Sequence, residues 1–289
     1  MVTTGKGKKV RKILIQGVEG CFHDAAARLY FEGEDIEVVP CETFPLMAQA
    51  VGSDPSLLGI MAIENTIAGS LLQNHELIHK GGLDIIGEYK MRISHTLCAL
   101  PGQTLDSLSE VNSHPIALMQ CEDFLRQHPN LKMIEKFDTA GAAREIAEKG
   151  LDGHGAICSE LAAGIYGLEV LANGIETNKR NFTRFLIISG RSGSDRPAPR
   201  GDIDKASIVF TLPHTQGALS KVLTILAFYD LNLTKIQSFP IIGREWEYKF
   251  YIDLAFDDYD RYRQALEAAR PLTSDFKILG EYTSCKQII

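Results

Sequence analysis

Cysteine is present but never paired. The six cysteines (Cys21, Cys41, Cys98, Cys121, Cys158, Cys285) are scattered with no C-x-x-C spacing. That excludes a zinc knuckle and a disulfide framework, and it suits a reducing, cytoplasmic compartment. No apolar run approaches the ~18 residues that a membrane helix needs, and the polar N-terminus has no signal-peptide core. Basic charge is in deficit: Lys plus Arg is 30 against 37 for Asp plus Glu, a net charge of −7. A nucleic-acid binder usually carries the opposite excess. P-loop, dinucleotide fingerprint and metal cluster are all missing, and none of the eight histidines has the Ser or Cys partner spacing of a triad. The expectation is a protein with no metal, no cofactor, no nucleic acid and no membrane.

What is present is a sizeable core. At 289 residues, 45% of them apolar and 23% charged, the chain has room for two or three domains of roughly 100–150 residues. The basic run "GKGKKVRK" ends where the first strand begins and reads as a solvated tail over residues 1–11. Then "KILIQG" (12–17), "IEVVPC" (36–41) and "LGIMAIEN" (58–65) read as nearly continuous apolar strands, of the kind covered on both faces in a parallel sheet. Helix-like "FHDAAARLYF", "TFPLMAQAV" and "SLLQNHELIHK" alternate with them, giving a βαβαβα opening.

A second set follows. "DIIGEYKMRISHTLCALPG" reads as one long extended stretch. "EVNSHPIALMQCEDFLRQHP" reads as strand, turn and helix, with Pro115 at the first helical position and Ser113 or His114 near the cap. "KMIEKFDTAGAAREIAEKG" predicts a strand and a helix capped by Asp138 or Thr139 and stopped at Gly150. "GAICSELAAGIYG" repeats the pattern with Ser159 as N-cap, and "FTRFLIISG" is a buried strand. The stretch 190–205, rich in Gly, Pro, Ser and charge, reads as a linker. Beyond it the order is strand, helix, strand, strand, helix, strand in under 90 residues, which is the ferredoxin-like plan.

Four places carry polar residues where strands end. "GVEG" (17–20) joins the first strand to its helix and suits either a ligand approaching backbone N–H groups or an ordinary tight turn. Glu64, Asn65 and Thr66, with Gly69 and Ser70 opening a helix, stand where open α/β sheets gather ligands, though Asn and Thr also cap helices. Ser113 and His114, with Gln120 on the following helix, form a similar corner; His114 reads as structural rather than as a general base. Thr183 and Arg184 lie at the mouth of the last strand. An arginine among hydroxyls and amides fits a small dicarboxylate.

The motifs "GVEGCFHDAAA", "GIMAIENTIAGS", "VNSHPIALMQC", "SELAAGIYGLEVLANGIETNKRNFTRFLII", "GALSKVL" and "KIQSFP", in that order, resemble prephenate dehydratase over nearly the whole chain after the basic tail. The resemblance implies a two-lobed, periplasmic-binding-protein-like α/β catalytic domain over 12–190, with one lobe of about 12–92 plus 182–190 and the other of 93–181. After a linker at 191–204 it implies a ferredoxin-like ACT regulatory domain over 205–289. The implied reaction converts prephenate to phenylpyruvate without a cofactor. Thr183 would be catalytic, with Asn65, Thr66, Ser113, Gln120 and Arg184 about the substrate. Phenylalanine would bind through Gly217, Ala218, Leu219, Gln237 and Ser238, in a homo-oligomer, dimer or tetramer. The chain departs from the family pattern at Val18 and Cys21 of the glycine turn, at "ENT" for "ENS", and at "QSFP" for "ESRP", where Gln237 and Phe239 replace an acid and a base. Arogenate dehydratase and a non-catalytic amino-acid sensor are the alternatives. Four intact polar residues (Asn65, Ser113, Gln120, Thr183) argue against the sensor, and the lack of a transit peptide favours prephenate. With about ten residues before the first strand, no chorismate mutase activity is expected.

Overall fold

The computed structural model describes residues 10–191, 202–241 and 243–285. Lys6, Lys8 and Lys9 of the basic tail and residues 192–201 of the expected linker lie outside the described residues, whereas Arg11 and Lys12 already belong to the first strand.

The N-terminal rhythm folds as β1 (Arg11–Gln16), α1 (Phe22–Tyr30), β2 (Ile36–Cys41), α2 (Phe44–Ser53) and β3 (Leu58–Asn65). β1 pairs in parallel with both β2 and β3, and Leu58 to Ile63 are all buried, as a strand covered on both faces requires. One expectation needs correcting. Gly69–Ser70 does not open a helix but forms a two-residue strand, β4, folded back antiparallel onto Glu64 and Asn65; α3 starts later (Leu72–Lys80). The cause is local. Asn65 Oδ1 accepts the N–H groups of Ile67 and Ala68 at 2.9 and 2.8 Å, an Asn-centred turn that reverses the chain before a helix can begin.

The stretch expected as one extended run is two strands in different sheets, β5 (Leu83–Arg92) and β6 (Thr96–Ala99). The break between them is tied to distant chain: Ile93 N–H donates to the Asn181 carbonyl at 2.7 Å, and His95 N–H to Glu176 Oε2 at 2.9 Å. The second sheet is built by β7 (Glu110–Ser113), α4 (Pro115–Gln120), α5 (Glu122–Gln127), β8 (Lys132–Glu135), α6 (Thr139–Lys149), β9 (His154–Cys158), α7 (Glu160–Ile165) and β10 (Glu169–Asn173), in strand order β10-β6-β9-β7-β8. The helix expected after Pro115 is divided at Cys121. Its cap is His114, whose Nδ1 accepts from Ile116 N–H. Asp138 and Ser159 cap α6 and α7, and Gly150 closes α6 in the left-handed region. β10 went unforeseen because it is a short, largely exposed edge strand with no apolar period.

The chain then returns to the first sheet as β11 (Phe182–Gly190), giving the order β2-β1-β3-β11-β5. Every residue of β11 from Thr183 onward is buried. After it come β12 (Lys205–Thr211), α8 (Ala218–Phe228), β13 (Asn232–Pro240), β14 (Tyr248–Ala255), α9 (Tyr259–Ala269) and β15 (Ser274–Tyr282), whose antiparallel sheet has the order β13-β14-β12-β15. Phe210, Leu226, Ile252, Leu254 and Tyr262 form the centre of its core. This is the βαββαβ order expected from the sequence.

Two compact units result. One takes the described residues up to Met47, Leu57–Ser70 and Lys90–Phe185; the other takes Ala48–Ser56, Leu71–Tyr89 and the described residues from Leu186 on. In the second, Lys205 Nζ reaches both oxygens of the buried Glu88 carboxylate at 2.8 and 3.1 Å. Glu76 on α3 accepts from Lys249 Nζ (2.8 Å) and the Tyr251 hydroxyl (2.6 Å) on β14, and pairs with Lys80. Burial works to raise the Glu76 pKa, but its hydrogen bonds to Lys249, Lys80 and Tyr251 prevail and bring it to about 2. Burial and the charge of Lys249 hold His79 down at about 4, and its Nδ1 lies 3.2 Å from Lys249 Nζ.

Both shifts act in the same direction on stability. An unfolded histidine takes its proton near 6.5, which folded His79 refuses until about 4. An unfolded glutamate takes one near 4.5, which folded Glu76 refuses until about 2. The unfolded state therefore binds more protons throughout, and stability falls as pH falls. Thermal melts from pH 7 to pH 3 should show Tm falling. His79→Gln should lose distinctly less of its Tm between pH 6.5 and 4, and equal losses in variant and wild type would refute the assignment.

Candidate active site

The site begins where two strands end side by side. β3 finishes with Glu64 and Asn65, and β11 starts with Phe182, Thr183 and Arg184. Successive side chains on a strand point to opposite faces. Asn65 meets Thr183 on one face: Asn65 Nδ2 donates to Thr183 Oγ1 at 2.9 Å. Glu64 meets Arg184 on the other, with a guanidinium–carboxylate separation of 3.3 Å. The pair that looked contiguous in sequence is thus divided between two environments, and buried Arg184 is engaged by a carboxylate of the protein itself.

Asn65 is fully committed. Its carbonyl oxygen takes the two N–H groups of the 66–68 turn, and its amide nitrogen donates to Asn181 Oδ1 (2.7 Å), Phe182 O (3.2 Å) and Thr183 Oγ1. Thr66 is committed too: its hydroxyl donates to Arg180 O at 3.0 Å and accepts Phe182 N–H at 2.9 Å, locking the turn to the entry of β11. Ser113 is wholly buried, and its hydroxyl donates to Ile157 O at 2.5 Å across β7 and β9. Gln120 joins the cluster through its side-chain oxygen, which accepts from Asn181 Nδ2 at 3.0 Å and pairs with His95 Nε2 at 2.8 Å. Of the residues expected around a substrate, Asn65, Thr183 and Gln120 therefore converge, with Thr66 bracing the turn, while Ser113 and Arg184 are turned to neighbouring strands.

Three residues of this cluster were not singled out from the sequence: Asn181, His95 and Glu176. Asn181 and Glu176 are almost fully buried, as is His95. Glu176 accepts the backbone N–H of His95 and a charged hydrogen bond from Arg92 at 2.8 Å. Burial works to raise its pKa, but the His95 N–H, the nearby Lys179 and Arg92 carry it below the usual carboxylate range. Burial lowers the pKa of His95, against the raising effects of Gln120 and Glu176, and so favours the neutral ring. The signal available in the sequence was Asn181 itself, an amide two residues before Thr183.

A cleft of about 640 Å³ lies elsewhere in the same unit, at the carboxyl ends of β1 and β2 and the start of α6, lined by Gly17, Val18, Cys41, Lys136, Phe137 and Arg144 among others. None of the residues expected about the substrate lines it, but Gly17 and Val18 of the glycine turn do. The glycine turn beside it is held to α7: Ser159 Oγ donates to Gly20 O at 2.5 Å and Tyr166 OH to Glu19 O at 2.7 Å. In the other unit, Gly217 caps α8 from the left-handed region, Ala218 and Leu219 form its first turn, and Gln237 and Ser238 lie on the edge strand β13 of the same sheet.

Residues 13–193 match the family described as prephenate dehydratase. The chain is 36% identical to "Arogenate dehydratase 5, chloroplastic" of Arabidopsis thaliana, over 94% of this chain and 67% of that protein. Among solved structures, "The Crystal Structure of Prephenate dehydratase in complex with L-Phe from Arthrobacter aurescens" is 29% identical with a TM-score of 0.83, covering 94% of this chain and 89% of that one. A protein titled "GqqA- a novel type of quorum quenching acylases" is 32% identical with a TM-score of 0.85, covering 95% and 98%. The chain belongs to the prephenate dehydratase family. Among the described residues no helix is long and apolar enough to cross a membrane.

The glycine turn supplies a test. A Cβ built on Gly20 would stand 2.8 Å from Ala162 Cα on α7, and Gly20 has φ +84°, a region that costs an ordinary residue energy. Gly20→Ala should lower stability by about 1–3 kcal/mol and reduce turnover, measured by thermal melt and steady-state rate. Unchanged values for both would show that the turn yields freely.

Proposed function

We propose that the chain is a dehydratase that removes the ring hydroxyl and ring carboxylate of prephenate to give phenylpyruvate, and that its C-terminal βαββαβ segment, 205–289, is an ACT domain through which phenylalanine regulates it. We read 12–190 as the catalytic domain, two-lobed and periplasmic-binding-protein-like, with lobes of about 12–92 plus 182–190 and 93–181.

The observation that carries this is the bond from Asn65 Nδ2 to Thr183 Oγ1. With its oxygen occupied as an acceptor, Thr183 keeps its own hydroxyl proton to donate, and the donation from Asn65 increases the polarity of that O–H. The reaction needs this. The C–O bond breaks as electrons from the departing carboxylate flow into the ring, carbon dioxide leaves, and the departing hydroxide takes a proton to become water. Aromatisation supplies the driving force. A threonine hydroxyl is too weak an acid for efficient general acid catalysis at neutral pH. Thr183 therefore acts as a positioned hydrogen-bond donor at the oxygen where negative charge develops and keeps its proton, and the proton that turns the departing hydroxide into water comes from solvent. Of the residues first expected about the substrate we keep Gln120 for direct contact, with Asn65 and Thr66 acting through Thr183 and the turn; Ser113, bound to Ile157 O, and Arg184, bound to Glu64 on the opposite face, brace the strands that carry the site.

Arogenate differs from prephenate only in bearing an amino group in place of the keto oxygen, and the name of the Arabidopsis relative makes it the second substrate to test. An acylase would need Thr183 activated as a nucleophile by a base. The group on its oxygen is instead the Asn65 N–H, a donor that lowers nucleophilicity. Incubation with prephenate, arogenate and an N-acyl amide, each alone, separates the readings by product. Thr183→Val should reduce turnover of the preferred dehydratase substrate by about 10²–10³-fold while remaining folded. Near-normal turnover would sink the assignment.

Phenylalanine is assigned to Gly217, Ala218, Leu219, Gln237 and Ser238, with a homo-oligomer, dimer or tetramer, placing the edge strand β13 near a neighbour. The exchange of an acid and a base for Gln237 and Phe239 removes both charges together, which keeps the net charge of the motif. Millimolar phenylalanine should inhibit turnover and raise Tm. The absence of both effects would end the regulatory claim.

A further inference from the structure

The amides of the site are oriented by one another, and the direction of the chain is set by the backbone. The N–H groups of Ile67 and Ala68 can only donate, so the Asn65 side-chain atom they meet must be its oxygen. That fixes the Asn65 amide nitrogen toward Asn181, which must answer with its oxygen at 2.7 Å. Asn181 then has only its nitrogen to offer Gln120, and Gln120 must answer with oxygen at 3.0 Å. The same Gln120 oxygen lies 2.8 Å from His95 Nε2, so that nitrogen must carry a proton. His95 Nδ1 is then the bare lone pair of the neutral ring, and it is buried with no hydrogen-bond partner. At the far end of this relay, both bonds of the Gln120 side chain fall on its oxygen, which leaves its nitrogen with N–H donors to offer.

We propose that Asn181 is a positioning residue: it transmits the polarity set by the 66–68 turn to Gln120, so that Gln120 presents N–H donors, not its carbonyl, to an acceptor oxygen of the substrate. Asn181 is fully buried and acts through Gln120 and Asn65 rather than by touching substrate. It also joins the two halves of the cluster, since it binds Asn65 from β3, Gln120 from α4 and, through its carbonyl, Ile93 of the β5–β6 break. This rests on the dehydratase reading for the identity of the substrate, but the orientation itself does not.

Asn181→Asp separates polarity from shape, because the two side chains are nearly isosteric. A protonated aspartic acid can still accept from Asn65 and donate to Gln120 Oε1. An ionised one sets an acceptor against an acceptor and turns Gln120 over. Burial raises a carboxyl pKa, which brings this titration into the range where activity can be measured. The titratable groups around it are His95 and Glu176, both with pKa values moved downward; the charges of Arg92 and Lys179 on Glu176; and the Glu64–Arg184 pair across β3 and β11.

The expected result is that kcat/KM of Asn181→Asp, divided by that of wild type, falls by about tenfold to a hundredfold between pH 5.5 and pH 8.5, while Asn181→Leu is reduced alike at every pH. A ratio independent of pH would overturn the proposal, since a packing role would give that outcome. Should Asn181→Asp not fold, the nitrogen-15 spectrum of His95 in the wild-type protein decides it: the relay requires the Nε2–H tautomer, and an Nδ1–H tautomer would refute it. Wild type inactive on both prephenate and arogenate, with the Nε2–H tautomer present, would overturn the dehydratase reading and leave the relay standing.

Discussion

The insertion of β11 beside β3 is the constraint on which the site depends. Asn65 and Thr183 are 118 residues apart in sequence, and no local preference could bring an amide and a hydroxyl to 2.9 Å across that separation. What does so is the burial of Thr183–Gly190 in the middle of the first sheet. Register then follows from the side-chain period of two: a one-residue slip would exchange Thr183 for Arg184 on the Asn65 face. Because the apolar residues of β11 fix that register through the core, the position of the Thr183 hydroxyl is set by hydrophobic burial, and the hydrogen bonds only refine it.

The amides make the second layer of that refinement. A cluster of neutral donors and acceptors inside a protein is costly if any member is left unmatched, and here each match forces the next. Charge is kept at the edges: Glu176 is bound to Arg92 and to the His95 backbone, and Glu64 is bound to Arg184 on the opposite face. On the proposed reading, a substrate carboxylate would meet dipoles with fixed directions, while the buried carboxylate of Glu176 is already bound by Arg92. Preorganised dipoles of this kind need no rearrangement as charge develops, the condition under which electrostatic stabilisation is greatest.

Much of the fold was legible because burial leaves a periodic trace. The bounds of β2, β3 and β11 could be read from apolar runs, and the caps of α6 (Asp138 or Thr139) and α7 (Ser159) from residue types ahead of helical periods. What failed to show was decided by contacts at long range. The break at Ile93–His95 has no glycine or proline to announce it; it exists because Asn181 and Glu176 supply the bonds. β4 exists because Asn65 closes a turn, and β10 because an edge strand needs only one partner. For the site, resemblance singled out Thr183, Asn65 and Gln120 as residue types, but Asn181 and His95 are ordinary letters until the partners on either side are known.

The second compact unit shows the same division between what pattern reveals and what it hides. The βαββαβ order was plain from rhythm, yet Leu71–Tyr89, whose helix was read with the first alternating set and whose strand with the second, packs into one unit with it. Two carboxylates account for that attachment. Glu88 on β5 is buried with Lys205 of β12 and accepts the Cys285 N–H, and Glu76 on α3 is bound by Lys249 and Tyr251 of β14. Burying a carboxylate without its partners would cost several kcal/mol, so each pair functions as a match between segments: α3 and β5 are stable in this position only where Lys205, Lys249 and Tyr251 stand. Ion pairs of this kind have no sequence period, and only the folded chain shows which lysine belongs to which glutamate.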